Sequence, residues 1–183
     1  ITKYKPALTL AKKLAVYLRY HADYFDPNTA TFYSQPELTM GSNFGAHFHA
    51  HTMGLLGLLE YATAANDKDY LDYVKRGFEW AKNHKYSNSI VGFFPEWLGD
   101  GYPSCETCEV SDMIALALKL TNAGAGDYWD DADRWIRNQF AENQMLRYDW
   151  VYRLAETQPK RAVAYNESAD YPAERNIGGF AGW

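Results

Sequence analysis

The sequence predicts an all-α protein, and three observations carry that expectation. Apolar residues recur at three- and four-residue spacing in five separate segments, strand-type alternation is nearly absent, and turn residues punctuate the segments. The first helix is expected over Tyr4 to Tyr24, with Leu10, Leu14, Tyr17 and Leu18 on one stripe and Lys12, Lys13 and Arg19 off it. Asp26-Pro27-Asn28 ends it in a turn. After an irregular loop over Ser34 to Asn43, a second helix is expected from about Ala46 to Ala65, with Leu55, Leu58, Leu59 and Ala62 at core spacing. Asn66-Asp67 breaks it. A third spans Asp69 to Asn83 and sets Tyr70, Tyr73, Val74, Phe78 and Trp80 among charges. A long loop from Lys85 to Ser104 leads to a fourth helix, with Ser104 as its expected N-cap and Ala123-Gly124-Ala125-Gly126 as its stop. The fifth, Tyr128 to Glu142, places Trp129, Trp135 and Ile136 over Asp and Arg residues. Asn143 to Trp183 reads as mostly loop with one short helix or strand pair.

Two turns sit at equivalent places. Asn66 to Asp69 and Gly124 to Asp127 each separate an Ala/Leu-rich helix from an aromatic, charged one. That loose two-helix repeat is the pattern of α/α toroids and solenoids. In a toroid of the (α/α)6 barrel type the Ala/Leu-rich helices would line the inside, with the long loops gathered at one rim. Five helices close such a barrel poorly, and Gly178-Gly-Phe-Ala-Gly-Trp183 is neither a helix cap nor a polar tail. Residues 1–183 therefore read as one partial toroid domain, an N-terminal portion of a longer protein.

Composition excludes some classes. A formal charge of −5 with no basic stripe gives no electrostatic footprint for nucleic acid. No apolar run approaches the roughly 18 to 20 residues that span a bilayer, so no membrane partner is expected. Aromatic residues reach 16%, and amphipathic rings serve equally as core between helices or as platforms for sugar faces. Two cysteines are too few for a disulfide framework and leave the compartment open, bacterial cytoplasm and periplasm both being compatible.

Three places carry chemistry. Tyr102-Pro-Ser-Cys-Glu-Thr-Cys-Glu109 holds both cysteines and two glutamates just before an aliphatic run. On a helical turn Cys105 and Cys108 would share a face, and a helix N-terminus favours thiolates. As a redox motif Cys-x-x-Cys wants a βαβ setting that is missing here, and as half a zinc site it needs two further ligands. His47-Phe-His-Ala-His51 opens the second helix. A helical start would put His47 and His51 together with His49 pointing away, while an extended lead-in would align all three. Either arrangement suits metal or hydroxyl recognition, and capping by local backbone is the plainer alternative. Glu96, between Pro95 and Trp97, is a carboxyl in an aromatic loop. Burial against such a surface disfavours its charged form and suits a general acid.

Together these residues resemble glycoside hydrolase family 127, the β-L-arabinofuranosidases and their relatives. The resemblance covers roughly residues 40 to 145. It rests on the histidine-bearing helix opening within Gly45 to Glu60, on Glu96-Trp97, and on Glu106-Thr107-Cys108 before a buried helix. It implies an (α/α)6 barrel and a zinc-dependent retaining glycosidase with carbohydrate as its substrate. Glu106 and Cys108 would be zinc ligands, Glu96 the general acid/base, and His47 or His51 a binder of sugar hydroxyls. Beside them, His49 and Trp97 are further candidate substrate-binding residues. Departures stand out: the family's adjacent Cys-Cys pair, which includes the nucleophile, has no counterpart in these residues, Cys105 is extra, and Glu96 sits closer to the zinc motif than the family's acid usually does. The chain alone is then expected to be inactive, with the remainder of the same barrel or a complementary chain as its partner. Two other classes remain open. One is a glycan-binding toroid without chemistry; the other is a zinc-independent toroid enzyme such as an unsaturated glycuronyl hydrolase or a sugar epimerase.

Overall fold

A computed structural model describes residues 4–34, 46–99, 104–157 and 170–180. Most of the loop expected over Ser34 to Asn43, the Tyr102-Pro103 start of the cysteine segment and the terminal Trp183 lie outside the described residues. Within them the protein is all-α. Its helices are α1 (Lys5–Tyr20), α2 (Phe48–Ala65), α3 (Lys68–Lys82), α4 (Thr107–Asn122), α5 (Trp129–Trp135), α6 (Asp149–Ala155) and α7 (Pro172–Arg175). A π-helical turn, Ile136–Phe140, continues α5. Extended pairing among the described residues is confined to isolated bridges. No described helix is long and apolar enough to cross a membrane.

The boundaries follow from local chemistry. Asn66 closes α2 in the left-handed region at φ 53°, which an Asn side chain tolerates, and its N–H reaches the Ala62 and Thr63 carbonyls. Asp67 then caps α3 by accepting from the Tyr70 N–H at 3.3 Å. The expected Ser104 cap is displaced by two residues. Glu106 is the N-cap of α4, in a capping box with Glu109: each carboxylate accepts from the backbone N–H of the other residue. Among the described residues after 143 there are two short helices and a bridge between Gln144 and Phe180, where one short helix or strand pair in mostly loop was expected.

Packing runs in sequence order. α1 lies on α2, α2 on both α3 and α4, and α4 on α5. Leu55, Leu58, Leu59 and Ala62 of α2 are buried as their spacing implies, in the same core cluster as Val110, Met113, Leu116 and Leu120 of α4. Each large side chain so buried contributes about 1.5–3 kcal/mol of transfer free energy.

The apolar stripe of α1 behaves differently. Leu10, Leu14 and Tyr17 are each more than half exposed, and α1 buries Ala15 and Arg19 instead. The reason is aromatic. The Arg19 guanidinium sits 4.2 Å over the Tyr73 ring and 5.1 Å from both the Tyr20 and Tyr70 centroids. Its Nε donates to the Pro27 carbonyl at 2.9 Å and its Nη1 to Asp69 at 2.5 Å. A planar, weakly hydrated cation tolerates such a cage far better than an ammonium would. The other side of α1 forms, with Gly57, Leu58 and Tyr61 of α2, an open apolar cleft of about 820 Å³.

The described part of the loop after α3 is anchored. Trp135 is fully buried and its indole N–H donates to the Ser89 carbonyl at 2.7 Å. Gly92, at φ 84°, lies so close to this ring that an added Cβ would be 2.9 Å from it. Phe94 then stacks on Phe48 of α2 and meets Trp135 edge-on. Those contacts deliver Pro95 to Leu98 to the start of α2.

Candidate functional site

Three backbone hydrogen bonds assemble the site. Phe48 N–H donates to the Glu96 carbonyl at 2.8 Å, Leu98 N–H to Ala46 at 2.8 Å, and Glu96 N–H to Ser104 at 2.9 Å. The extended residues 96–98 therefore lie between the lead-in to α2 and the lead-in to α4. His47, Glu96, Trp97 and Glu106 are brought together from three separate stretches of chain.

At the centre are His47, Glu106 and Glu109. One ligand atom from each lies within 4.8 Å of the others. Glu109 is fully buried, and its two oxygens differ. Oε2 accepts from the Glu106 N–H at 3.0 Å, while no donor reaches Oε1 within hydrogen-bonding distance. The nearest basic nitrogen is His47 Nε2, 3.7 Å away. Burial pushes the Glu109 pKa up to about 7, and the neighbouring Glu106 adds to the rise. Burial, then the charge of His49, pulls His47 below its ordinary value, against the opposing pull of Glu96 and Glu106. An orphaned acceptor facing a ring nitrogen and a second carboxylate is an arrangement that a cation would complete.

Both cysteines border this cluster in unequal ways. Because α4 begins only at Thr107, Cys105 precedes the cap and Cys108 follows it, so the two do not share a helical face. Cys105 is partly buried against the core, its Sγ 3.7 Å from the Glu106 carbonyl. Cys108 Sγ–H points to Glu106 Oε2 at 3.5 Å. Burial, then Glu109 and Glu106, pushes its pKa up to about 12; Cys105 rises to about 11, chiefly by burial. Without a metal both are neutral thiols.

The histidines part company at the helix start. His47 is the extended N-cap residue, at φ −79° and ψ 120°, so its ring leaves the helix path. His51 is fully buried, with Nδ1 2.8 Å from the His47 carbonyl and Nε2 3.0 Å from that of Tyr33. It stacks on Phe32 and meets Phe25 and Tyr24 edge-on. Burial lowers its pKa to about 4, against the pull of the carbonyls. The expected His47–His51 face is therefore absent: His51 belongs to the core. His49 instead lies edge-on to His47, ring centroids 5.9 Å apart, and sets Nδ1 2.7 Å from Asp112 Oδ2.

Glu96 and Trp97 complete the rim. Ser104 Oγ donates to Glu96 Oε2 at 2.7 Å, and the Trp97 ring lies 5.0 Å from that of His47. Three participants went unrecognised as such in the sequence: Glu109 as a partner of His47, Asp112, and Ser104 as a Glu96 donor. Asp112 had a legible signal, being the one acid inside the aliphatic run from Val110 to Leu120.

Protein-family models, curated proteins and solved structures were each compared with this chain, and none matches.

Proposed function

We propose that this seam is the zinc-binding part of a hydrolytic site acting on glycans, carried by part of an (α/α)6-type toroid. His47, Glu106 and Glu109 hold the ion. One observation carries the reading: the fully buried Glu109 Oε1 has no hydrogen-bond donor and faces His47 Nε2 across 3.7 Å. Leaving a buried acceptor unsatisfied costs about 1–3 kcal/mol, which a bound cation removes. One nitrogen and two carboxylates suit zinc, and the Cys108 sulfur adjoins Glu106. When bound, the ion supplies Lewis acidity and draws the neighbouring thiol toward its thiolate.

The chain's own residues do the rest. Glu96, steadied by Ser104, is placed as the general acid/base at the rim, and Trp97 offers a ring face to a sugar. The order of helices supports a toroid: α2 and α4, Ala/Leu-rich, pack on each other, and each is followed by an aromatic, charged helix. The proposed ligand set departs from the Glu-and-Cys pattern of the resembled family by recruiting His47 and Glu109.

The test is a zinc titration of the full chain by calorimetry, for wild type and for Glu109→Gln and Glu106→Gln. Stoichiometric binding that either substitution weakens at least tenfold supports the reading. Wild type without zinc affinity, or variants that bind equally well, would sink it. Sugar binding by a chain without zinc affinity, unchanged by Glu96→Gln combined with Cys108→Ser, points instead to a binding module.

A further inference from the structure

Beside the metal cluster, α2 and α4 share a second polar knot. Asp112 follows Glu109 by three residues and so lies on nearly the same face of α4. It is buried, and its Oδ2 meets two groups of α2 at once: Thr52 Oγ at 2.6 Å, which donates to it, and His49 Nδ1 at 2.7 Å. A carboxylate accepts, so the ring nitrogen that faces it carries the proton.

We propose that Asp112 is a positioning residue, fixing His49 in the Nδ1–H tautomer so that Nε2 is a hydrogen-bond acceptor for a ligand hydroxyl beside the His47–Glu106–Glu109 cluster. His51, two residues on, shows what a purely structural histidine looks like in this protein: fully buried, with both ring nitrogens against backbone carbonyls. His49 keeps about a fifth of its side chain exposed, and its Nε2 makes no hydrogen bond among the described residues. Tying α2 to α4 needs only the Thr52–Asp112 bond. The addition of a partly exposed imidazole to the same oxygen orients that ring, as carboxylates do for functional histidines elsewhere. Identifying the hydroxyl as part of a glycan rests on the function proposed above; the tautomer does not.

The experiment is long-range proton–nitrogen NMR on the 15N-labelled full chain at pH 8, free of zinc. Wild-type His49 should show a protonated Nδ1 and a bare Nε2, and Thr52→Val should keep that pattern although it loosens the helix tie. Asp112→Asn should populate the Nε2–H form at least several-fold more. A wild-type His49 protonated at Nε2 overturns the proposal, even if the Asn variant does not fold. So does an unchanged tautomer in a folded Asp112→Asn, which would make Asp112 a helix tie only. Free pentoses and hexoses are the hydroxyl probes: at least one should move the Nε2 resonance, and movement with none overturns the acceptor role. A chain that binds no zinc but shows the expected tautomer and sugar shift defeats the metal reading and leaves this one intact.

Discussion

Arg19 on α1 and Glu109 on α4 are both charged residues out of solvent, and their surroundings are opposite. Arg19 uses its Nε, its Nη1 and its flat face at once, on Pro27, Asp69 and three tyrosine rings. Glu109 is more deeply buried, yet keeps one oxygen without a donor and a second carboxylate close by. A satisfied buried charge is a structural tie. The unsatisfied oxygen of Glu109 is the observation on which the proposed metal site rests.

The difference can be broken at either end. The largest effect is expected from Arg19→Met, which keeps much of the stem but removes the cation: chemical denaturation should show a loss of about 3 kcal/mol, with zinc binding retained. A loss below about 0.5 kcal/mol would show that the tyrosine cage contributes no more than a surface pair. Next, zinc at a hundredfold excess over its dissociation constant should stabilise wild type by about 2.7 kcal/mol. Thermal melts of Glu109→Gln at the same zinc concentration should show about half of that gain or less.

The zinc-free protein should also respond to pH through Glu109. Its pKa is raised from 4.5 to about 7, so the folded state holds the proton more tightly than the unfolded chain. Its contribution to stability is therefore greatest below pH 4.5, declines as pH rises to 7, and is level above that. Subtracting a Glu109→Gln profile from the wild-type profile should leave a fall on the order of 2 kcal/mol across this window. A flat difference would mean the carboxyl is better solvated than its burial implies. Zinc affinity should move the other way, rising with pH until Glu109 has lost its proton near 7. The smallest effect is expected where charge is exposed: Lys119 and Glu60 pair across α4 and α2 with about half of each side chain in water, and Lys119→Ala should cost about 0.5 kcal/mol or less.

Part of the candidate site was readable in advance. Glu96, Glu106, His47 and Trp97 stood out because each combines an uncommon residue type with a helix start or an aromatic loop, and the structure gathers all four. Glu109 was visible as a donor type, but nothing local marks one of its oxygens as orphaned. That depends on His47, which lies 62 residues earlier (109 − 47). The two cysteines misled in the same way. Spacing alone put them on one face, and the Glu106–Glu109 capping box put the helix boundary between them.

The sequence by itself determined the helices and most of what they bury. Heptad-like spacing chose Leu55, Leu58, Leu59 and Ala62 for the core, and Asn66, Asp67 and Gly124 set the turns, because those are decided within a few residues of backbone. Tertiary structure alone decided which charges those helices carry inside. The aromatic cage drew in Arg19 and left Leu10 and Leu14 outside, the Glu96 bridge turned His47 out of its helix, and the α2–α4 seam joined Asp112 to His49. Burial of a charge depends on partners that only long-range packing supplies, and no local pattern encodes that energy.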